Sequence, residues 1–399
     1  MESHDMGFDG VAPTDCGRLA RSLWLSATNG EGDDRLKKAE KLYLRAIKNR
    51  SDLSKELYED AVEKMCLIYV QSGRASRVSR VLASLGYVCR LSTDVLDYDY
   101  PMSTVSIERD NSCPCVTIDN FLTSGDLLHL CSVFGRENNF WSHHGYSVEP
   151  PSPYFSYVIP TRDRENLDSK FGILGQILLN ITSNTTLKEK FPRLLHTNFA
   201  EMWAHNRPHA SGHQLHFDSD DEGRSKMGDD GVPRHPVMSV VLYLSGDGCG
   251  GPSLVTTQTL CDRSLTSDGW LSAPVDGRLT AFDGRVLHGV VPGKGNGPAP
   301  ARRRVTLMFA FWEDIEIRGG DSYAEDRNCA SARAFPNVDD NVEWARRLRS
   351  TCYDNERDCV NMKREVHPIP IKSVFQTLDG ESWTKDMGFP DYSQIYQGF

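Results

Sequence analysis

Between Leu194 and Trp312 the chain passes through six short segments of a kind that only a β-sheet core uses: NFAEMWAH, HQLHFD, VMSVVLYLS, PSLVTTQ, GRLTAFD and RVTLMFAFW. Each is too short for a stable helix and rich in β-branched or aromatic residues. Each is also bounded by Gly, Pro, Asp or Ser, which end strands and build turns. A run of short strands punctuated this way is expected to close into a sandwich or a jelly-roll barrel. One long acidic insertion, Ser219 to Pro236, interrupts the run.

Ahead of the strands the apolar period changes to that of helices. Leu36, Ala39, Tyr43, Ala46 and Ile47 fall on one helical face, and Leu57, Ala61, Met65, Ile68 and Tyr69 on a second, with Gly73 placed as its stop. Val78, Val81, Leu82 and Leu85 form a third before Gly86. Helix pairs of this size resemble tetratricopeptide units, but there are too few for a free-standing solenoid. The expected division is therefore 1–30 poorly ordered, 31–105 a helical N-terminal region, 106–316 a β-rich domain and 317–399 a C-terminal extension with a helix near Asn341–Thr351. Val116 to Phe134 reads as a strand, a turn and an amphipathic helix leading into the β-rich domain.

A chain of 399 residues with 39% apolar and 25% charged residues has the composition of a soluble protein larger than one core usually organises. No apolar run is long enough to span a bilayer, and the acidic start, MESHDMGFDG, lacks the basic patch and apolar stretch of a signal peptide. An intracellular, cytoplasmic location without membrane association is the expectation. The net charge of −10 argues against general nucleic-acid binding, which needs Lys and Arg to displace counterions from phosphates. Eleven cysteines, an odd number, lack metal-binding spacing; Cys113-Pro-Cys115 is too tight for a zinc knuckle, so reduced thiols are expected.

Among twelve histidines, only His216 opens an H-x-D sequence, His216-Phe217-Asp218. Residues two apart on a strand face the same side, so both side chains can address one point. Two imidazoles and a carboxylate suit Fe(II) and leave coordination positions open. H-x-D alone is weak evidence, because a surface His beside an Asp is common. Its context strengthens it: His288 follows a strand and a turn in GRLTAFDGRVLHGVVPG, and Arg304 opens the last strand sixteen residues later. Arg304 and Thr306 share a face, which sets a guanidinium fork beside a hydroxyl and suits a carboxylate.

From Val116 to Trp312 the sequence resembles the prolyl 4-hydroxylase-like branch of the 2-oxoglutarate/Fe(II) dioxygenases. The resemblance is carried by V-T-I-D-N-F-L, H-Q-L-H-F-D-S-D, V-V-L-Y-L-S-G followed by G-G-P-S-L, G-R-L-T-A-F-D-G-R-V-L-H-G-V, and R-V-T-L-M-F-A-F-W. It implies an α+β protein: a double-stranded β-helix (jelly-roll) oxygenase core, here with an N-terminal helical domain. It also implies that His216, Asp218 and His288 bind iron and that Arg304 with Thr306 binds the distal carboxylate of 2-oxoglutarate. O2 would be the co-substrate, with ascorbate as an optional accessory reductant. The implied reaction is hydroxylation of an unactivated C–H bond with succinate and CO2 as co-products; Asp218 favours hydroxylation over halogenation, which needs that ligand position vacant. Ser219 to Pro236, leaving directly after Asp218, would then be a lid over the iron.

Two departures limit the resemblance. Collagen-type prolyl hydroxylases carry Lys where this chain has Arg304, so their substrate does not transfer. Many relatives also turn a Tyr toward 2-oxoglutarate on the strand after the H-x-D loop, and here that position is Leu242 or Tyr243. His205, His209 and His213, together with Trp203 or Met202, are further candidates near substrate, against a plainer reading as loop and core residues. Gly250-Gly251 reads most simply as a tight turn. The expected partner is a protein or peptide substrate, because helical repeats often present peptide grooves, with a free amino acid or small metabolite as the alternative. A nucleic-acid demethylase is disfavoured by Ala310, where that branch has a second Arg. A non-catalytic jelly-roll binding module is disfavoured by the complete ligand set.

Overall fold

The computed structural model describes residues 10–25, 32–85, 88–98, 111–135, 138–146, 154–220, 234–262, 264–295, 303–318, 331–350, 362–376 and 395–396. Four helices open it: α1 (Pro13–Leu25), α2 (Gly32–Lys48), α3 (Lys55–Gln71) and α4 (Ser76–Ser84). The last three follow the apolar spacing read from the sequence. The first lies within residues 1–30, expected to be poorly ordered apart from a surface helix over Arg18–Ala27; it starts earlier, at Pro13, and one side of it is buried. Cys16, Ala20 and Trp24 recur every fourth residue and are buried, so this stretch gains a tertiary partner that its polar flanks conceal. A short strand β1 (Val88–Cys89) and helix α5 (Thr93–Leu96) follow.

The next elements are β2 (Cys115–Asp119), α6 (Ser124–Phe134), α7 (Asn139–His143), β3 (Tyr157–Pro160), α8 (Leu167–Phe171), α9 (Ile173–Ser183) and α10 (Thr185–Lys190). The turn from β2 to α6 uses Asn120 at φ 52. Thr123 then caps the helix by accepting from the Asp126 N–H. Eight strands follow: β4 (Phe199–Arg207), β5 (His213–His216), β6 (Met238–Ser245), β7 (Ser253–Thr259), β8 (Gly269–Ser272), β9 (Leu279–Asp283), β10 (Val286–Val290) and β11 (Arg304–Trp312). The end of the chain adds β12 (Arg333–Ala334), α11 (Glu343–Arg349), β13 (Arg364–Val366), β14 (Ile369–Ile371) and β15 (Ile395–Tyr396).

The strands make two large sheets, β12-β3-β4-β11-β6-β9-β2-β13 and β14-β8-β7-β10-β5, and a small pairing of β1 with β15. From β4 to β11 the chain alternates between the large sheets, with β7 and β8 the one pair of successive strands in the same sheet. Helices cover the outer face of the eight-stranded sheet: Leu130, Ile177, Leu178 and Trp344 share a core with Val240, Leu242, Leu307 and Phe309. The N-terminal helices cover the outer face of the five-stranded sheet, where Tyr43, Met65, Ile68 and Leu82 share a core with Leu215, Leu254, Leu271 and Leu287. With both faces covered, every residue of β11 is buried.

This layering blurs the expected boundaries. The extension from 317 contributes β13 at the edge beside β2, β14 beside β8 and β12 beside β3, while α11 joins the helix-covered core. Strands of two or three residues carry too little alternation to be seen in sequence. Among the described residues no helix is long and apolar enough to cross a membrane.

Candidate active site

The inner faces of the two sheets enclose a cavity. On β11 the even-numbered residues Arg304, Thr306 and Met308 line it, while Val305, Leu307 and Phe309 enter the outer core. β6 does the same with Ser239, Val241 and Tyr243 inward and Val240, Leu242 and Leu244 outward. The residue facing the cavity is therefore Tyr243 and not Leu242; Tyr243 Oη lies 2.6 Å from Ser253 Oγ.

β5 ends at His216, and β10 sets His288 directly opposite it. The Nε2 atoms of His216 and His288 each lie 3.6 Å from Asp218 Oδ1. The three ligand atoms all fall within 4.8 Å of one another. Both imidazoles are oriented from behind: His216 Nδ1 is 2.8 Å from the Gln214 carbonyl and His288 Nδ1 is 3.0 Å from the Val286 carbonyl. A ring that donates from Nδ1 to a carbonyl keeps a lone pair on Nε2 for a metal. Asp218 is held in the same manner. Ser239 donates to Oδ2 at 2.6 Å, leaving Oδ1 toward the imidazoles, and His235 Nδ1 sits 2.7 Å from the Asp218 carbonyl. The His216 side chain is 36% exposed, but toward the cavity. Desolvation, with the neighbouring His288 second and Asp218 opposing, lowers its pKa to about 4. It is therefore neutral at pH 7, the form a metal binds.

Arg304 stands at the other end of the cavity, 3% exposed. Its Nη1 donates to the Gly251 carbonyl at 3.3 Å, its Nε is buried with no partner, and among the described residues no carboxylate pairs with it. Burial lowers its pKa from the ordinary value. A buried cation this poorly compensated costs several kcal/mol, of order ~3–5 when a partner is lacking, unless an anion arrives. Thr306 sits beside it, 4% exposed. Two glycines permit the approach. Gly250 has φ +82, and a Cβ there would meet Arg304 Cδ at 2.9 Å; a Cβ on Gly251 would meet the Val291 carbonyl at 1.9 Å. The pair thus does more than turn the chain.

The remaining candidates separate. Trp203, His205 and His213 line the cavity, and Met202 belongs to the outer core. Burial lowers the pKa of His205 and His213 well below the histidine range, with nearby Arg and His groups acting in the same direction. His209 lies outside: its Nδ1 accepts from the Gly250 N–H at 3.0 Å and its Nε2 donates to the Lys294 carbonyl at 3.1 Å, which braces the glycine turn. Ser239 was missed in the sequence; its alternation with Tyr243 was visible, but its pairing with Asp218 joins residues 21 apart. The Ser219–Pro236 insertion has residues 221–233 outside the described set. Its ends are tied by a backbone hydrogen bond from Asp220 to Arg234 and by ion pairs of Asp220 with Arg234 and Arg318.

Solved structures similar to the chain include a prolyl-4-hydroxylase from Pseudomonas putida, at 18% identity and TM-score 0.30, covering 50% of this chain and 89% of that one. A second is an oxidoreductase of the 2OG-Fe(II) oxygenase family from Burkholderia pseudomallei, at 15% and 0.27, covering 50% and 85%. A third is HygX from Streptomyces hygroscopicus with nickel and 2-oxoglutarate bound, at 14% and 0.29, covering 58% and 95%. The likeness is to 2-oxoglutarate/Fe(II) oxygenases. No family model and no curated protein matches the chain.

Proposed function

We propose that this chain is a 2-oxoglutarate- and Fe(II)-dependent dioxygenase that hydroxylates an unactivated C–H bond, releasing succinate and CO2. The observation that carries this reading is the pairing, in one cavity, of the His216–Asp218–His288 cluster with the buried and uncompensated Arg304. Two imidazoles and one carboxylate fit Fe(II) with coordination positions left over. Separations of 3.6 Å can be bridged by one ion with bonds of about 2.0–2.2 Å. We also read the sheets as a double-stranded β-helix, because the chain alternates between them from β4 to β11.

Bound iron would supply O2 activation coupled to oxidative decarboxylation of 2-oxoglutarate. The chain's own part is to bind and orient. Arg304 and Thr306 hold the distal carboxylate, and Tyr243 stands beside them with its hydroxyl bound to Ser253. Ser239 fixes which oxygen Asp218 presents, and the Gln214 and Val286 carbonyls fix both imidazole tautomers. Val241, Leu254, Val255, Phe282 and Met308 give the inner cavity apolar walls, which would limit water around the reacting centre. The substrate is a residue of a protein or a small molecule.

The test is anaerobic titration of the purified protein with Fe(II) and then 2-oxoglutarate, followed by admission of O2. A visible charge-transfer band that appears only with both, and succinate formed in proportion to 2-oxoglutarate consumed, is the expected result. Absence of both the band and succinate would remove the oxygenase reading.

A further inference from the structure

A second chamber opens outward from the triad. It shares Trp203, His205, His213, His216 and Asp218 with the inner cavity, but it takes in Arg207 where the inner cavity takes in Arg304. The two arginines are neighbours in register across β4 and β11, a pairing that sets Cα atoms about 5 Å apart. They nevertheless serve different spaces.

Arg207 has little to hold it. Its Nη1 reaches the Gly212 carbonyl at 3.4 Å, its Nε is buried without a hydrogen-bond partner, and among the described residues no carboxylate forms an ion pair with it. The acids facing this chamber are all engaged elsewhere. Glu201 accepts from Ser156 at 2.5 Å and Trp312 at 3.0 Å, Asp220 is paired with Arg234 and Arg318, and Asp218 is held by Ser239. Two guanidiniums on adjacent strands repel each other, and among the described residues no carboxylate pairs with either to relieve it. The walls beside Arg207 are aromatic: Tyr146, Tyr154, Trp203 and Phe217, with Tyr154 and Trp203 edge to face at 6.4 Å.

On the oxygenase reading above, on which this rests, we propose that the substrate presents a carboxylate to Arg207 while its apolar body lies against the aromatic wall in front of the triad. Arg207 is then a specificity determinant of the outer chamber, distinct from the co-substrate anchor Arg304. The carboxylate can belong to a free acid or to an acidic side chain of a polypeptide. None of the N-terminal helices contributes to either chamber; they pack behind the five-stranded sheet.

The experiment measures binding, so it does not depend on turnover. Protein loaded with Zn(II) and saturating 2-oxoglutarate is titrated calorimetrically with hexanoate and 3-phenylpropanoate, with their primary amides, and with a capped pentapeptide containing one internal glutamate or glutamine. The acids should bind about 10- to 100-fold more tightly than the amides, the range for losing one charge-assisted contact. Arg207→Gln should erase that preference and Arg207→Lys should restore part of it. Tighter binding of the glutamate peptide than of either free acid would assign the carboxylate to a polypeptide; the reverse would assign it to a small acid. Equal binding of acids and amides, or a preference that survives Arg207→Gln, overturns the proposal. So does displacement of the acids by 2-oxoglutarate, or loss of 2-oxoglutarate affinity in Arg207→Gln, since either would merge Arg207 with the Arg304 site. Absence of succinate formation in the Fe(II) protein would count against the oxygenase reading alone.

Discussion

Asp218 and Arg304 illustrate opposite ways in which a buried charge is tolerated. Asp218 has a partner already, Ser239 on one oxygen, and turns the other toward the His216 and His288 imidazoles. Removing it or His288 takes away one of three donors, so Asp218→Ala and His288→Ala are expected to abolish Fe(II)-dependent succinate formation while circular dichroism stays native. Turnover at the wild-type rate in either variant would remove the ligand assignment. Among the described residues Arg304 has no such partner. Arg304→Gln is therefore expected to leave the ligand-free melting temperature unchanged or raised, because it deletes an uncompensated buried cation. In the same variant 2-oxoglutarate affinity should fall by about two to three decades, as loss of ~3–5 kcal/mol implies. Wild-type protein at 100 times its Kd for 2-oxoglutarate should gain about 2.7 kcal/mol, and the variant at that concentration almost none. Thermal melts with and without 2-oxoglutarate check both signs.

At the level of elements, strand alternation decides which residues meet. β6 and β11 each send every second side chain inward, so Ser239, Tyr243, Arg304 and Thr306 share the cavity while Leu242 and Arg303 cannot. Arg303 instead bonds to Asn206 on the neighbouring strand. The Gly250 turn works with β11 as one unit, because the glycine's open face is filled by the Arg304 side chain. Gly250→Ala forces a non-glycine residue to φ +82 and a Cβ against Arg304. The backbone cost alone is about 1–2 kcal/mol. The variant should melt lower and bind 2-oxoglutarate at least about tenfold more weakly while still binding metal, since neither His216 nor His288 touches the turn. Unchanged 2-oxoglutarate affinity would mean that the turn and the arginine are independent.

Over the whole molecule, two helical layers clamp a pair of sheets, and one half-buried histidine ties the acid stability of the molecule to the larger layer. His144 stacks on Phe155 at 4.1 Å, with Nδ1 2.6 Å from the Phe140 carbonyl and Nε2 2.8 Å from Tyr157 Oη. Burial lowers its pKa to about 4, against a weaker upward pull from the Phe140 carbonyl. Its folded pKa thus lies below the unfolded value of about 6.5. The unfolded chain binds the proton first, so stability is complete above pH 6.5, declines as pH falls toward 4, and levels off below. The loss is at most roughly 3 kcal/mol. Urea titrations at pH 7 and pH 4.5 should give a smaller difference for His144→Gln than for wild type. An identical difference would assign the acid sensitivity to other groups.

Local sequence determined the strands, the N-terminal helices α2, α3 and α4 and the His216-Phe217-Asp218 pattern, because these depend on period and turn chemistry within a few residues. H-x-D on one strand and R-x-T on another are legible, since a period of two fixes which side chains share a face. The burial of the helix at Pro13–Leu25 was hidden because it depends on a tertiary partner, and the edge strands from Arg333 on because two or three residues show no period. Leu242 against Tyr243 was undecided because a one-residue slip inverts every side chain, and only pairing with β9 and β11 fixes the register. The pairing of Ser239 with Asp218, the lack among the described residues of a carboxylate paired with Arg304 or Arg207, and the position of the N-terminal helices behind the sheet were for the tertiary structure to decide. Each is a relation between residues far apart in the chain, and no local pattern carries it.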